Sequence, residues 1–390
     1  MVPFFQSYFI GGFECSSHRR VDGRRLDLLH GTRHDAFAVS DYRALQRHGI
    51  ATVRDGLRWH RIERSPGEYD WSSFLPQLRA ARLTGTQPIW DICHYGFPDD
   101  IDIWSPQFVE RFARFAGAVA ALVRDEHPHV PFYCPINEIS FWAWCGGDEG
   151  DINPCERERG DELKSQLVRA ASAGIAAIRK ADPRARIVTV DPVIHVVPET
   201  EADCHAAEAS RLAQFDAWDM LAGRRLPELG GQPDHLDVIG VNFYPHNQWY
   251  LNGRMIPRGE PDYRPFRQIL AEVWHRYGRP IFVAETGAEA ERRAPWLRYV
   301  CDEIAAALEH GVPVVGLCLY PITDYPGWDN DRHCPTGLLG YADDDGRRLE
   351  YAELAEEIAR QQPRLSRLLA TSGRVRRSMS SQDRTSLQVP

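Results

Sequence analysis

The sequence predicts a single domain built as a closed barrel of eight parallel strands, each followed by a helix, the (β/α)8 or TIM barrel. Strand-like and helix-like segments alternate eight times between residues 9 and 361. The strand-like segments are mostly continuous apolar runs, as expected of strands that are covered on both faces. The alternation indicates a parallel sheet, and eight units within 390 residues indicate a sheet that closes on itself.

Each element is predicted from its own local pattern. Short apolar runs bounded by turn residues predict strands at 9–14, 51–57, 87–93, 130–136, 186–191, 236–242, 280–285 and 314–320. Apolar residues at helical spacing predict helices at 35–49, 71–83, 107–123, 162–181, 201–221, 263–277, 296–311 and 351–361. An open doubly wound sheet is the alternative, but it requires a glycine-rich phosphate turn after its first strand, and Gly11-Gly12 does not supply one.

The end of the chain differs in composition from the rest. Residues 371–390 are polar, rich in serine and arginine, and lack apolar periodicity. Such a segment does not carry enough apolar surface to fold by itself. We therefore predict a barrel domain over residues 1–368 and a disordered tail over residues 369–390.

The composition argues against several classes of partner. The formal net charge is −9 and the body of the chain has no basic run, which argues against nucleic acid and anionic membranes. No apolar stretch approaches the length of a membrane span. The nine cysteines are scattered without a CxxC pair, and the N-terminus lacks the basic start of a signal peptide. A reducing, cytoplasmic location is expected.

Polar and aromatic side chains recur where the predicted strands end. In such a barrel the carboxyl ends of all strands meet at one face, where catalytic residues lie. Six strands supply these positions, and the residues in chain order are Arg54, His94, Tyr95, Asn137, Glu138, Asn242, Tyr244, Glu285, Tyr320 and Asp324. A lone histidine is more often a core residue, and a lone arginine is more often an ion-pair partner. Six strands that present such groups to one rim instead indicate a functional site.

Two of these groups, Glu138 and Glu285, are carboxyl groups with different expected surroundings. Glu138 precedes an aromatic segment, residues 141–144, and partial desolvation among aromatic rings raises the pKa of a carboxyl group. Arg54 is expected to keep Glu285 charged, and Tyr244 is expected to orient it by a hydrogen bond. Hydrolysis of a glycosidic bond requires one protonated and one ionised carboxyl group of this kind.

The motifs around these residues resemble those of clan A glycoside hydrolases, most of all family 1, the β-glucosidase and β-galactosidase group. Six stretches carry the resemblance, in chain order: FIGGFECSSH, VRDGLRWHRIE, DICHYGFPDD, PINEIS, LDVIGVNFYP and VAETG. The last three are specific as a set. The resemblance implies a retaining enzyme with Glu138 as acid/base and Glu285 as nucleophile. It also implies supporting positions for Arg54, His94, Asn137 and Tyr244, and Asn137 is suitably placed for the sugar 2-hydroxyl.

Departures from the family pattern predict a divergent sugar-binding subsite. His18, with Glu14 nearby, stands where the family has a glutamine, and Tyr320 stands where it has a tryptophan. The family carboxylate that binds the distant sugar hydroxyls would fall near Gly327, so it is missing or replaced by Asp324, Asp329 or Asp331. The acid/base motif also reads NEIS rather than NEP. Further candidates for sugar binding are the aromatic residues Trp142 and Trp328.

The predicted function is hydrolysis of a β-linked glycoside by double displacement, with a small-molecule or oligosaccharide β-glycoside as ligand. Neither a metal nor an organic cofactor is expected, because the chain lacks HExxH and Cys/His zinc spacing and a carboxyl pair suffices. A transglycosidase on the same site and a non-catalytic sugar-binding barrel are the alternatives. An aldolase-type barrel would need a lysine at a strand end, and the only lysines, Lys164 and Lys180, lie in a predicted helix.

Overall fold

The computed structural model describes residues 4–127 and 130–385, with side chains up to residue 369. Eight parallel strands form a closed barrel, named β1 to β8 in chain order: Phe9–Gly12, Thr52–Gly56, Gln87–Cys93, Phe132–Ile136, Arg186–Pro192, Val238–Asn242, Ile281–Thr286 and Val314–Leu319. Each strand pairs with its neighbours in the sequence, and β1 closes the barrel against β8, with Gly11 opposite Leu319. The predicted single-domain TIM barrel is confirmed.

Helices follow the strands and cover the outside of the barrel. They are named α1 to α9: His34–Gln46, Leu75–Thr84, Pro106–Glu126, Gly160–Ala181, Cys204–Leu212, Asp216–Leu221, Phe266–Tyr277, Arg293–Glu309 and Ala352–Thr385. The prediction of one helix over 201–221 is wrong, because α5 and α6 are separated by a 3-10 turn, Ala213–Phe215. Short helices lie in the loops at Leu28–Gly31, Trp59–Ile62 and Ile139–Trp142.

Within the described residues, the loops also contain four short two-stranded sheets. Three are antiparallel: Glu63–Ser65 with Glu68–Tyr69, Tyr325–Pro326 with His333–Cys334, and Leu339–Ala342 with Arg348–Glu350. The fourth is parallel and joins His195–Val197 to Gln248–Tyr250. These sheets brace the long loops that surround the carboxyl end of the barrel.

Apolar side chains fill the interior of the barrel toward its amino end. The ring of Phe5 lies 5.0 Å from that of Phe132 and 5.5 Å from that of Phe282. Ile10 and Val238 belong to the same buried cluster. A separate, larger core lies between the strands and the helices. Because the amino end is closed by aromatic rings, the polar interior groups lie toward the carboxyl end.

The backbone of α9 continues into the segment that the sequence predicts to be a disordered tail, residues 369–390. Residues 386–390 lie outside the described part of the chain. The disorder of this tail stays a prediction, which limited proteolysis would check. Among the described residues, each helix is too short or too polar to span a bilayer.

Candidate active site

The carboxyl end of the barrel gathers the residues that the sequence singled out. Arg54 lies on β2, Glu285 on β7, and Asn137 and Glu138 directly follow β4. All but the half-buried Tyr244 are buried at the strand ends, namely Arg54, His94, Asn137, Glu138, Glu285 and Tyr320. Polar groups buried at such a position need partners, and the partners define the site.

Glu285 has a buried positive charge beside it. Nη1 of Arg54 donates to Oε1 of Glu285 at 2.7 Å, and the hydroxyl of Tyr244 donates to Oε2 at 2.9 Å. Arg54 is fully buried, and its guanidinium also contacts Asp91 at 2.7 Å. Both Glu285 oxygens are thereby held in fixed directions, and the carboxylate has a counter-charge that solvent does not screen.

Glu138 has no cation within ion-pair distance among the described residues, and neutral groups donate to both of its oxygens. Nδ2 of Asn242 donates to its Oε1 at 2.7 Å, and the hydroxyl of Tyr95 donates to its Oε2. Burial raises the pKa of Glu138 to about 8; the charge of Glu285 adds to this rise, and the two hydrogen bonds oppose it. Burial therefore favours the protonated form of the Glu138 carboxyl.

The backbone is strained at the two residues that meet here. Tyr95 has φ 66 and Glu138 has φ 44, in the left-handed region that non-glycine residues rarely adopt. Each such residue costs about 1–3 kcal/mol and persists only where the surroundings enforce it. Here the amide of Glu138 donates to the carbonyl of Val190 at 3.0 Å, and Asn153 donates to the carbonyl of Tyr95 at 2.9 Å. These anchors direct the Tyr95 hydroxyl at the Glu138 carboxyl.

One hydrogen-bond network joins the surroundings of the two carboxyl groups. Nη2 of Arg54 donates to Oδ1 of Asn137 at 2.6 Å. Nδ2 of Asn137 donates to the hydroxyl of Tyr95 at 3.0 Å and faces Nε2 of His94 at 3.1 Å. Because Nε2 of His94 accepts, Nδ1 carries the proton and donates to Asp91 at 3.0 Å. Displacing one member of this network therefore disturbs the others.

Tyr320 packs against two members of the network, His94 and Arg54. Its ring is parallel to that of His94, with 6.1 Å between the ring centroids, and the guanidinium carbon of Arg54 lies 5.2 Å from the Tyr320 ring. A Cβ atom at Gly12 would lie 2.2 Å from this ring. A glycine in β1 is thus required for the tyrosine to fit.

The aromatic candidates fall into two groups. Trp142 is fully buried, its ring lies 5.7 Å from that of Tyr95, and its indole N–H donates to a loop carbonyl. Trp142 therefore packs against the ring of Tyr95 within the core and is not accessible to a ligand. Trp328 is partly buried, 5.8 Å from Tyr95 and 6.2 Å from Phe141, and Trp144 next to Phe141 is 51% exposed. The accessible aromatic surface is that of Phe141, Trp144 and Trp328.

The three aspartates considered as replacements for the family carboxylate have other surroundings. Asp324 accepts from the amide of Gly337 and from His333, both at 2.8 Å. Asp331 pairs with Arg24 at the surface, and Asp329 is exposed. A different acid, Glu14, is buried two residues after β1. The sequence placed Tyr95 and Asn242 at strand ends without giving them a role, and it did not single out Asp91, which the structure brings to the site.

One group of possible metal ligands exists among the described residues. Ligand atoms of Cys15, Asp91 and His94 lie within 4.8 Å of one another. However, Arg54 donates to Asp91, and His94 shares its Nδ1 proton with the same carboxylate. A cation there would compete with a buried guanidinium. The group therefore fits a hydrogen-bonded cluster better than a metal centre.

Comparison with known proteins shows the fold. Neither protein-family models nor curated protein sequences give a match. Among solved structures, a β-glucosidase from Thermotoga maritima in complex with glucoimidazole is similar with a TM-score of 0.74, 15% identity, and coverage of 91% of this chain and 98% of that one. The AHE enzyme from Alicyclobacillus herbarius is similar with a TM-score of 0.75, 18% identity, and coverage of 92% and 99%. The chain thus shares the barrel of these enzymes over nearly its whole length.

Proposed function

We propose that this protein is a retaining β-glycosidase with Glu285 as nucleophile and Glu138 as acid/base. The observation that carries the proposal is the contrast between the two carboxyl groups. Glu285 has a buried counter-charge in Arg54, whereas burial and the charge of Glu285 raise the pKa of Glu138 to about 8. Retaining glycosidases need one ionised attacking carboxylate and one protonated carboxyl group. The β-glucosidases among the solved structures of this fold also favour a glycoside as substrate.

The first step would form a glycosyl ester. The hydroxyl of Tyr244 holds Oε2 of Glu285 and Arg54 holds Oε1, and a Glu285 oxygen attacks the anomeric carbon. The bond from this carbon to the leaving oxygen breaks, and that oxygen takes the proton of Glu138. The transition state is oxocarbenium-like, and the negative charges beside it stabilise the developing positive charge.

The second step would return both groups to their starting states. Glu138, now ionised, takes a proton from water, and the resulting hydroxide forms a bond to the anomeric carbon as the ester bond to Glu285 breaks. The hydrogen bonds from Tyr95 and Asn242 stabilise the ionised Glu138 in this interval. Two inversions give net retention of configuration. The two carboxyl groups are expected to lie about 5–5.5 Å apart when substrate is bound.

A mechanism-based label tests the assignment. A dinitrophenyl 2-deoxy-2-fluoro-β-glycoside, in gluco and galacto forms, should inactivate the enzyme and add one fluoroglycosyl group to the peptide containing Glu285. Peptide mass spectrometry locates the group, and Glu285→Gln serves as the control that takes no label. A label on another residue would refute the assignment. Binding without labelling or turnover would favour the alternative of a non-catalytic sugar-binding barrel.

Transglycosylation is the second candidate, and the aromatic surface at the mouth of the site favours it. Trp144 is 51% exposed beside Phe141, which lies close to Tyr95. Such rings bind the apolar faces of sugars and aryl groups, so an acceptor held there could compete with water for the glycosyl ester. Product analysis with added alcohols or sugars separates the two activities. Acceptor-dependent glycosides would support transfer, and free sugar alone would support hydrolysis.

A further inference from the structure

Asp191, near the end of β5, is a buried acid with no cation within ion-pair distance among the described residues. Thirteen aspartates and glutamates are buried in this part of the chain, and ten of them lie within 4.0 Å of an arginine or histidine nitrogen. The three exceptions are Glu14, Glu138 and Asp191. Burial raises the pKa of Asp191 to about 7, and hydrogen bonds from residues 140 and 141 and the charge of Lys164 on α4 oppose the rise. Burying a carboxyl group without a cation is costly, so the contacts of Asp191 indicate its role.

The contacts of Asp191 lie at the start of the helix that follows Glu138. The amide of Ser140 donates to Oδ1 of Asp191 at 3.1 Å and to Oδ2 at 3.3 Å, and the Ser140 hydroxyl donates to Oδ2 at 3.0 Å. The amide of Phe141 also favours the ionised form of this carboxyl. Ser140 and Phe141 are the second and third residues of the helix Ile139–Trp142. Asp191 therefore binds the amides that the side chain of an N-cap residue binds.

The residue at the N-cap position of this helix is Glu138 itself. Its carbonyl accepts from the amide of Trp142 at 2.8 Å, which is the first hydrogen bond of the helix. An acidic side chain at this position is attracted to the free amides of the first turn. The Glu138 side chain makes no such bond, and its carboxyl is held by Tyr95 and Asn242 instead. Asp191 thus caps the helix in place of the Glu138 side chain.

The backbone after β4 is fixed against β5 at two points. The amide of Glu138 donates to the carbonyl of Val190 at 3.0 Å, and the amide of Ser140 donates to the side chain of the next residue, Asp191. Glu138 has φ 44, in the left-handed region, which persists in a non-glycine residue only where contacts enforce it. Loss of the second point would therefore release the backbone conformation that directs the Glu138 carboxyl.

A neutral residue would cap this helix equally well. Asparagine and serine stabilise the N-terminus of a helix about as strongly as aspartate does, and they bury no charge. The charge of Asp191 acts on Glu138, where burial, the charge of Glu285 and then the charge of Asp191 raise the pKa. An acid at position 191 therefore favours the protonated form of Glu138 as well as the direction of its side chain.

We propose that Asp191 is a positioning residue for Glu138, and that it acts by capping the helix Ile139–Trp142 in place of the Glu138 side chain. The cap occupies the amides toward which the Glu138 carboxyl would otherwise turn, and it keeps that carboxyl directed at the site. The proposal rests on the proposed function, since Glu138 needs this direction as the acid/base. The serine of the NEIS motif has a part in the same contact, because its hydroxyl also binds Asp191.

A crystal structure of Asp191→Ala tests the positioning without reference to catalysis. In this variant the Glu138 carboxyl should leave Tyr95 and Asn242 and accept from the two amides that the aspartate no longer binds. Asp191→Asn keeps an acceptor for these amides, so the Glu138 carboxyl should stay in place. A carboxyl that remains on Tyr95 and Asn242 in Asp191→Ala would overturn the proposal, whatever the activity of the protein.

Leaving groups of different quality separate positioning of the acid from a purely structural role. Asp191→Ala should lower kcat/KM for an alkyl β-glycoside by about 10- to 100-fold, a part of what general acid catalysis contributes. Release of dinitrophenol from a dinitrophenyl glycoside should change by less than about twofold, because that step needs little protonation. Thr189→Val is the matched control on β5, since the buried Thr189 hydroxyl has no hydrogen bond to a described residue. It should leave both substrates unaffected.

Asp191→Asn isolates the charge, because it retains the cap. The pH profile of kcat/KM for the alkyl glycoside reports the ionisation of Glu138 in the free enzyme. Its alkaline limb should move downward by about half a unit or more, since a negative charge that raises the pKa of Glu138 is removed. A limb that stayed in place or moved upward would overturn the role of the charge.

The outcomes distinguish this proposal from the proposed function. If the fluoroglycoside labels Glu285 and Asp191→Ala loses activity equally on both leaving groups, the function stands and the positioning role is wrong. If labelling and turnover both fail but the Glu138 carboxyl turns back in Asp191→Ala, the positioning stands and the function is wrong. Ser140→Ala replaces Asp191→Ala if that variant does not fold, because it removes one bond to Asp191 and leaves the others. It should show the same dependence on the leaving group at smaller size, and a uniform loss would again overturn the proposal.

Discussion

Two sides of the barrel mouth each hold a glutamate carboxyl group, one beside a cation and the other among neutral hydrogen-bond donors. The charged side consists of Arg54, Asp91 and Glu285, where one buried guanidinium faces two carboxylates. The uncharged side consists of Glu138, Tyr95 and Asn242, where neutral donors hold the carboxyl group. The two sides are joined through Asn137, which accepts from Arg54 at 2.6 Å and donates to the Tyr95 hydroxyl at 3.0 Å. The position of a single cation thus gives the two glutamates different electrostatic surroundings.

Arg54 binds three side chains at once because of the shape of its guanidinium. Its five N–H groups are fixed in a planar fork, and the fork serves Asp91, Asn137 and Glu285 together. No donor of this fork remains for Glu138 or Glu14. The charged side therefore consists of the groups that Arg54 contacts. Substitutions on the charged side and on the uncharged side should consequently have different effects on activity and stability.

The largest effect is expected at Glu285. Glu285→Ala removes the attacking oxygen, so kcat should fall by about 10⁴-fold or more, with little change in the melting temperature. Added azide should restore part of the turnover of an activated aryl glycoside and give the glycosyl azide of opposite anomeric configuration. Product configuration by NMR checks this. A variant that keeps near-normal kcat would remove Glu285 from the mechanism.

Arg54→Met removes the cation that distinguishes the charged side from the uncharged side. It leaves Asp91 and Glu285 buried without a cation, and breaking such a pair costs about 3–5 kcal/mol in the free energy of unfolding. Urea unfolding measures this loss, and kcat should fall with it. Arg54→Lys is the control, since it keeps the charge but not the fork. If the lysine variant matched the natural protein in both measurements, the planar contacts to Asn137 and Asp91 would be irrelevant.

Glu138→Ala should act selectively, because its proton matters only for a poor leaving group. With alkyl or disaccharide substrates, kcat/KM should fall by about 10²- to 10⁴-fold, the usual contribution of acid catalysis. With a dinitrophenyl glycoside, the first step should be almost unaffected. Stopped-flow release of the phenol measures that step directly. A uniform loss across leaving groups would contradict the acid role.

The barrel could be predicted from the sequence because each strand and helix is indicated by a pattern of neighbouring residues. Apolar runs bounded by turns set β3 at residues 87–93, as observed. The predicted helix over 201–221 failed because of a tertiary contact. Gln214 is buried between α5 and α6, and its side chain exchanges hydrogen bonds with the backbone of Ile194. Those bonds favour a break in a segment whose own sequence favours one helix.

The site, like the fold, could be predicted where it depends on local sequence patterns and not where it depends on contacts between distant residues. Strand ends can be located from the sequence, so Arg54, Glu138 and Glu285 could be proposed together. Tyr95 and Asn242 contact Glu138 across 43 and 104 residues of sequence. Their roles depend on side-chain directions, including the left-handed backbone at Tyr95. No periodicity in the sequence encodes those directions.

The smallest and most specific effect is expected at Tyr95, the residue that tunes the uncharged side. Burial and the charge of Glu285 raise the pKa of Glu138 to about 8, and the Tyr95 hydrogen bond opposes that rise. Tyr95→Phe removes the opposition, so the pKa of Glu138 should increase further. Because Glu138 acts as an acid in the first step, its loss of a proton ends activity at high pH. The alkaline limb of kcat/KM should therefore move upward by about half a unit to one unit.

The measurement is the pH profile of kcat/KM with a poor leaving group, which reports the ionisations of the free enzyme. Tyr277→Phe provides the control, since the Tyr277 hydroxyl is bound to Asp219 outside the site. It should lower the melting temperature and leave the profile in place. A downward shift of the alkaline limb in Tyr95→Phe would mean that the tyrosine favours the protonated form of Glu138. The hydrogen bond from Tyr95 would then contribute to the raised pKa of Glu138, and burial alone would not account for it.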